Sequence, residues 1–248
     1  MEAPVPPAHP PVEPPTFIKD AGPITYEVVR ETWLTRKPRM ESALVAALST
    51  VVLAAGSLVH ELGLWGADKW MPASREAIFG RGEIWRAWTT IFAHADAAHL
   101  VSNSFLFFIL SYFLYGYFGW WVFPLSAFIW GGLANLWVLP SYAPDVNLIG
   151  ASGVVYWMGG TWLILYFFLS KQKNFTQRWL RSLGVAILIF MPAEAFEPKI
   201  SYRTHFAGFA LGLVAGTVHY LAHRKRFQAA EVRETIVEPY EDVDGGLG

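Results

Sequence analysis

Between Ser42 and Leu221 the chain is built from apolar runs, several of the roughly 20 residues that a helix needs to cross a bilayer. No other feature limits the fold so strongly. Inside hydrocarbon the chain must satisfy its own backbone N–H and C=O groups, which leaves helices or a closed barrel. The runs predict six spans: Ser42–Trp65, His99–Phe118, Trp120–Leu139, Ser152–Leu169, a shorter Leu183–Phe196 interrupted by Pro192 and Glu194, and Thr204–Leu221. The expected class is an all-α membrane protein, a bundle of six transmembrane helices. Composition agrees, since 16% of the 248 residues are charged, against about 25% in soluble domains.

Three regions follow. Residues 1–40 read as a proline-rich and then mixed segment, with seven prolines by Pro15 and the basic cluster Arg36-Lys37-Pro38-Arg39 abutting the first span. Residues 41–223 hold the spans. Residues 224–248 carry Glu231, Glu234, Glu238, Glu241 and Asp242 and read as an acidic, disordered tail. No early apolar core with a small-residue cleavage site precedes Ser42, so the first span is expected to stay as an anchor. A net charge of −1 argues against a nucleic-acid partner. The absence of cysteine removes disulfides, thiolate nucleophiles and thiolate metal sites.

Lysine and arginine set the orientation. With the N-terminus inside, thirteen of the nineteen lie inside and six outside, so N-in and C-in is expected. Residues 66–98 then form a long outer loop rich in Trp and Arg, expected to be ordered and to lie in the interface. Spans two, four and six all start at that outer face. His94, His99, Asn103, Ser152 and His205 therefore share one depth on one side. Polar residues in apolar helices are costly and mark functional sites by default.

Asn147-Leu-Ile-Gly150-Ala-Ser152-Gly153 sets a hydroxyl between glycines where a polar loop becomes an apolar run. A hydroxyl becomes a nucleophile when a neighbouring base takes its proton, and imidazole suits that work near neutral pH. Ser152 and His205 supply that pair, and no acidic residue is placed to complete a triad. Acyl transfer also needs donors aimed at the developing oxyanion. Asn103, His99 one turn before it on the same helical face, and the Ser152 N–H offer them.

Gly208, Gly212 and Gly216 recur every fourth residue and form a smooth stripe that permits close helix approach. If the stripe packs on span four, where Ser152, Tyr156 and Gly159 or Gly160 share a face, serine and histidine come together. Taken alone, Gly-x-Ser-Gly arises by chance; the order of the three polar-headed runs carries the reading. The His94 to His99 spacing does not match the i, i+4 pair of helical zinc sites, and His60-Glu61 lacks a following His, so no metal is expected. Trp85-Arg86 could be an ordinary interface anchor.

Gly150-Ala-Ser152-Gly153, His94-x4-His99-x3-Asn103 and His205-x2-Gly208-x3-Gly212, in this order on six spans, resemble the rhomboid intramembrane serine proteases. Trp85-Arg86 and Tyr156 match that family's loop motif and the aromatic on which its histidine stacks. The resemblance covers about Ser42 to Leu221. It implies Ser152 as nucleophile, His205 as general base and His99 with Asn103 as oxyanion donors. His94 would be structural and Gly208 and Gly212 would pack. Thr204 stands where many members have a small residue, a departure expected to be tolerated.

The expected activity is hydrolysis of transmembrane protein substrates near the outer leaflet, without cofactor or metal. The bilayer is the partner surface and a bacterial inner membrane the expected location. Three alternatives stay open. They are an inactive rhomboid-like protein that binds membrane helices, a rhomboid-like sortase, and a small transporter using Glu194, against which the lack of internal repeats counts.

Overall fold

A computed structural model describes residues 24–190 and 201–238. They fall in two compact units, Met1–Val28 with Arg233–Gly248, and Val29–Val232. In the first, strand β1 (Ile24–Glu31) pairs with β2 (Val232–Glu238), fastened by Arg233 on Glu27 at 3.0 Å and by the Tyr26 hydroxyl on Glu238 at 2.6 Å. The fold is therefore not wholly α. Of the acidic tail expected to be disordered from 224, the part to Gln228 continues as helix and Val232–Glu238 forms strand β2, while Glu241 and Asp242 lie outside the described residues. Four of the strand's seven residues, Val232, Thr235, Ile236 and Val237, are β-branched and favour a strand, a preference that net acidity conceals.

The second unit begins before the expected boundary at 41. The Trp33 indole N–H donates to the Tyr117 carbonyl at 2.9 Å, so the chain ahead of the first span already packs on the bundle. Among the described residues eight α-helices follow: α1 (Ser42–Glu61), α2 (Ala67–Trp70), α3 (Arg86–Thr89), α4 (Ala97–Phe118), α5 (Ala127–Val138), α6 (Ser152–Leu169), α7 (Phe175–Phe190) and α8 (Tyr202–Gln228). A wide helical turn, Trp121–Ser126, leads into α5. Among the described residues five helical stretches are long and apolar enough to cross a membrane: α1, α4, Trp121–Ser141, α6 and α8. Helix α7 starts eight residues ahead of the expected Leu183. Its first turns carry Gln177, Arg178 and Arg181, which is why hydropathy alone does not mark them. The rest of that expected span, with Pro192 and Glu194, lies outside the described residues.

Local chemistry fixes the helix starts. Asp96 caps α4 by accepting the His99 N–H at 2.8 Å, and Ser201 caps α8 by accepting that of Thr204. Gly119, at φ +79°, ends α4 in a conformation that favours glycine. Helix α6 is the central element, and every residue from Gly153 to Thr161 is buried. Helices α1 and α4 leave Leu44, Leu48, Val51, Val101 and Phe105 exposed, as suits flanks that meet lipid rather than water.

The most extensive packing joins α6 to α8. A Cβ at Gly208 would fall on the Gly153 carbonyl oxygen, one at Gly212 on that of Trp157, and one at Gly216 would crowd Thr161. Partners advance by four residues on each helix, so α6 and α8 run parallel in a fixed register. The Thr161 hydroxyl donates to the Gly212 carbonyl at 3.1 Å across this seam.

The long loop after α1 is ordered, as expected, and closes on the chain ahead of Ser152. Ala73 and Leu148 exchange backbone hydrogen bonds at 3.1 and 2.7 Å. The Thr90 hydroxyl donates to the Leu148 carbonyl, and the Trp88 ring fills the space at Gly132 on α5.

Candidate active site

Ser152 opens α6 at the end of the turn that this loop holds. Gly150 has φ +115°, a conformation that disfavours side chains, and its N–H donates to the Thr90 carbonyl at 3.0 Å. Space excludes a side chain as well: a Cβ there would stand 2.8 Å from His99 Cε1 and 3.9 Å from Asn103 Nδ2. His99 and Asn103, one turn apart on α4, thus close over the Gly150 turn. The Asn103 amide nitrogen is buried and makes no hydrogen bond, an unspent donor beside the start of α6.

His94 holds the turn from behind. Its Nε2 accepts the Ala151 N–H at 3.3 Å and its Nδ1 lies 3.2 Å from the Ser57 hydroxyl of α1. With Nε2 accepting, Nδ1 carries the proton and donates to Ser57. Burial, and then the neighbouring His99, push the imidazole pKa down to about 4, which keeps it neutral and suited to this bridge. Its ring meets that of His99 edge-on at 5.1 Å.

On the other side, the His205 ring stacks flat on Tyr156, with centroids 4.1 Å apart and 11° between planes. Side chains on a helix lean toward its N-terminus, so Tyr156 reaches back one turn to His205. Thr204 is buried against Gly153, its Cγ2 2.9 Å from where a Cβ would stand, and its hydroxyl pairs with Ser201 at 2.5 Å. The threonine is accommodated because its neighbour is glycine. Ser152 and His205 each adjoin this contact, at the same end of the seam. Among the described residues no carboxylate bonds to His205, and no three His, Asp or Glu side chains are grouped as a metal would need.

Trp85 and Arg86 part company. Trp85 is exposed, whereas Arg86 is buried and clasps the loop, donating to the Lys69 and Pro72 carbonyls at 2.6 and 3.1 Å and pairing with Glu83 at 2.6 Å. Its partners all belong to the loop. Ser57, Thr90 and Asn135 escaped the reading of the sequence. Asn135 donates to the Ala87 carbonyl at 2.8 Å, with its own oxygen 3.7 Å from the Gly153 Cβ position. Ser57 and Asn135 are polar residues inside apolar runs, and that was the signal available.

Compared with curated proteins, the chain matches none. The family model for the rhomboid domain matches residues 81–221, more than half of the chain, and includes His94, His99, Asn103, Ser152 and His205. The protein is a multi-pass membrane protein and belongs to the rhomboid family, one of intramembrane protease type.

Proposed function

We propose that the protein is an intramembrane serine endopeptidase. His205 takes the proton of the Ser152 hydroxyl as its oxygen attacks a substrate carbonyl, then delivers that proton to the leaving amine. The tetrahedral oxyanion is met by Asn103, His99 and the Ser152 N–H at the positive end of α6. His205, neutral again, takes a proton from the water that attacks the acyl-enzyme and passes it to the Ser152 oxygen as the acyl group leaves as the carboxylic acid. The observation that carries the reading is the buried Asn103 amide, left without an acceptor beside the turn into Ser152. In the resting protein such a group is a cost, and an oxyanion would satisfy it.

The substrates are transmembrane proteins. Their helices hide the scissile amide in intrachain hydrogen bonds, so segments with Gly or Pro that unwind near the outer leaflet are favoured. The topology is six spans, N-in and C-in, with α7 in the place of the fifth. A bacterial inner membrane is the setting.

The test is labelling of the purified protein by a fluorophosphonate, beside cleavage of a single-span substrate. Wild type should label and cleave, Ser152→Ala should lose both, and His205→Ala should lose cleavage. Label that persists in Ser152→Ala would move the nucleophile elsewhere. A folded wild type that neither labels nor cleaves would make the protein a binder of membrane helices. Transfer of the acyl group to an added amine in place of water would make it a sortase.

A further inference from the structure

At the other end of the same helices, about 27 Å from His205 along α8 at 1.5 Å per residue, lies one cavity, and a second shares Trp120 with it. The first holds about 470 Å³ and is walled by Trp33, Trp120, His223, Arg39 and Arg226. Arg39, just ahead of α1, closes on the Gly119 turn, its Nη2 3.0 Å from the position a Cβ would take there. Arg226, in the last turn of α8, lies 4.8 Å above the Trp33 ring, and Arg39 lies 5.9 Å above that of Tyr115. Among the described residues neither arginine has a carboxylate partner. Arg36, Lys37, Arg224 and Lys225 adjoin them in sequence, so the field at this end is strongly positive.

The second cavity, of about 340 Å³, is a slot that runs between α1, α4 and the entry to α5 from Trp120 to Phe92 and Val154, with walls that include Val45, Leu48 and Phe107. It follows α1 from Val45 to Leu53, about 12 Å of helical rise. A helix of that length and about 10 Å diameter would need on the order of 900 Å³, so the slot takes a thinner guest. Trp120 lines both cavities and is itself largely exposed.

We propose that the two cavities hold one anionic phospholipid. Its phosphate lies between Arg39 and Arg226, whose planar guanidinium groups suit a phosphodiester. One acyl chain fills the slot, and Trp120 sits at the junction, where an amphipathic ring is at home between headgroup and hydrocarbon. The adjoining slot is what favours a lipid over a free phosphate. With the N-terminus inside, the site faces the inner leaflet, where basic pockets between helices meet anionic headgroups.

The test uses the full chain, purified in a nonionic detergent and incubated with dioleoylphosphatidylglycerol or dioleoylphosphatidylcholine, with retained lipid counted by native mass spectrometry. Wild type should retain the anionic lipid at least about tenfold more. Arg39→Gln with Arg226→Gln should abolish the preference. Leu48→Trp, at an exposed position on the slot wall, should lower retention of both lipids while leaving the preference intact. Equal retention by wild type, a preference that survives loss of both arginines, or full retention in Leu48→Trp would overturn the proposal. Inorganic phosphate should not displace the bound lipid; displacement at matched concentration would make the site one for a free anion and overturn it too.

Discussion

Ser152 is held from two sides by contacts of different kinds. On the α8 side the contact is dry and made of backbone: glycines at 208 and 212 rest on the carbonyls of Gly153 and Trp157. On the loop side it is a set of directional hydrogen bonds, with Thr90, Leu148, His94 and Ser57 converging on the turn at Gly150. The first kind tolerates no added atom and is indifferent to pH. The second can lose one bond and keep the rest, but it includes a histidine and so depends on protonation. The site therefore joins a rigid wall to a titratable one.

The hardest way to break the seam is to thicken it. Gly212→Val sets a branched side chain against the Trp157 carbonyl, which cannot rotate away. We expect a loss of about 3 kcal/mol or more, read as a fall in melting temperature in detergent together with loss of fluorophosphonate labelling. Retention of stability would show that the helices can part.

The loop side should answer to acid through His94, whereas the glycine contacts of the seam carry no titratable group. Burial holds the folded pKa of His94 at about 4, below the ordinary imidazole value of about 6.5, so the unfolded chain takes up the proton first. The contribution is complete above about pH 6.5 and is lost as pH falls toward 4, with a limit of about 3 kcal/mol. Unfolding followed across that window should show a pH slope that His94→Gln reduces; an unchanged slope would remove His94 from the explanation. The smallest effect is expected from Thr90→Val, which deletes one hydroxyl hydrogen bond to Leu148 while keeping shape. A loss of about 1 kcal/mol, with the turn otherwise intact, would show that the remaining bonds share the load.

How far the sequence reveals this arrangement depends on the kind of contact. The seam is legible because it needs glycine, and glycine at every fourth position has no other strong reason to recur in an apolar helix. The shared face of His99 and Asn103 is legible for the same periodic reason. The clasp around Arg86 and the Ala73 to Leu148 bridge are not, because their acceptors are carbonyls that every residue possesses. The β1–β2 pairing is hidden by sequence distance, and the amphipathic start of α7 by its charges. Thr204 reads as a departure from the family until Gly153 is seen opposite it.

The fixed offset of 55 positions between partners on α6 and α8, Gly153 with Gly208 and Trp157 with Gly212, makes the seam a ruler. Longitudinal alignment of serine and histidine is then written into the two helices and not into the stretch that links them. The short link from Ser170 to Asn174 can be lengthened or cut without sliding Ser152 past His205. Two fragments meeting in the same bilayer would find their alignment again from the stripe alone.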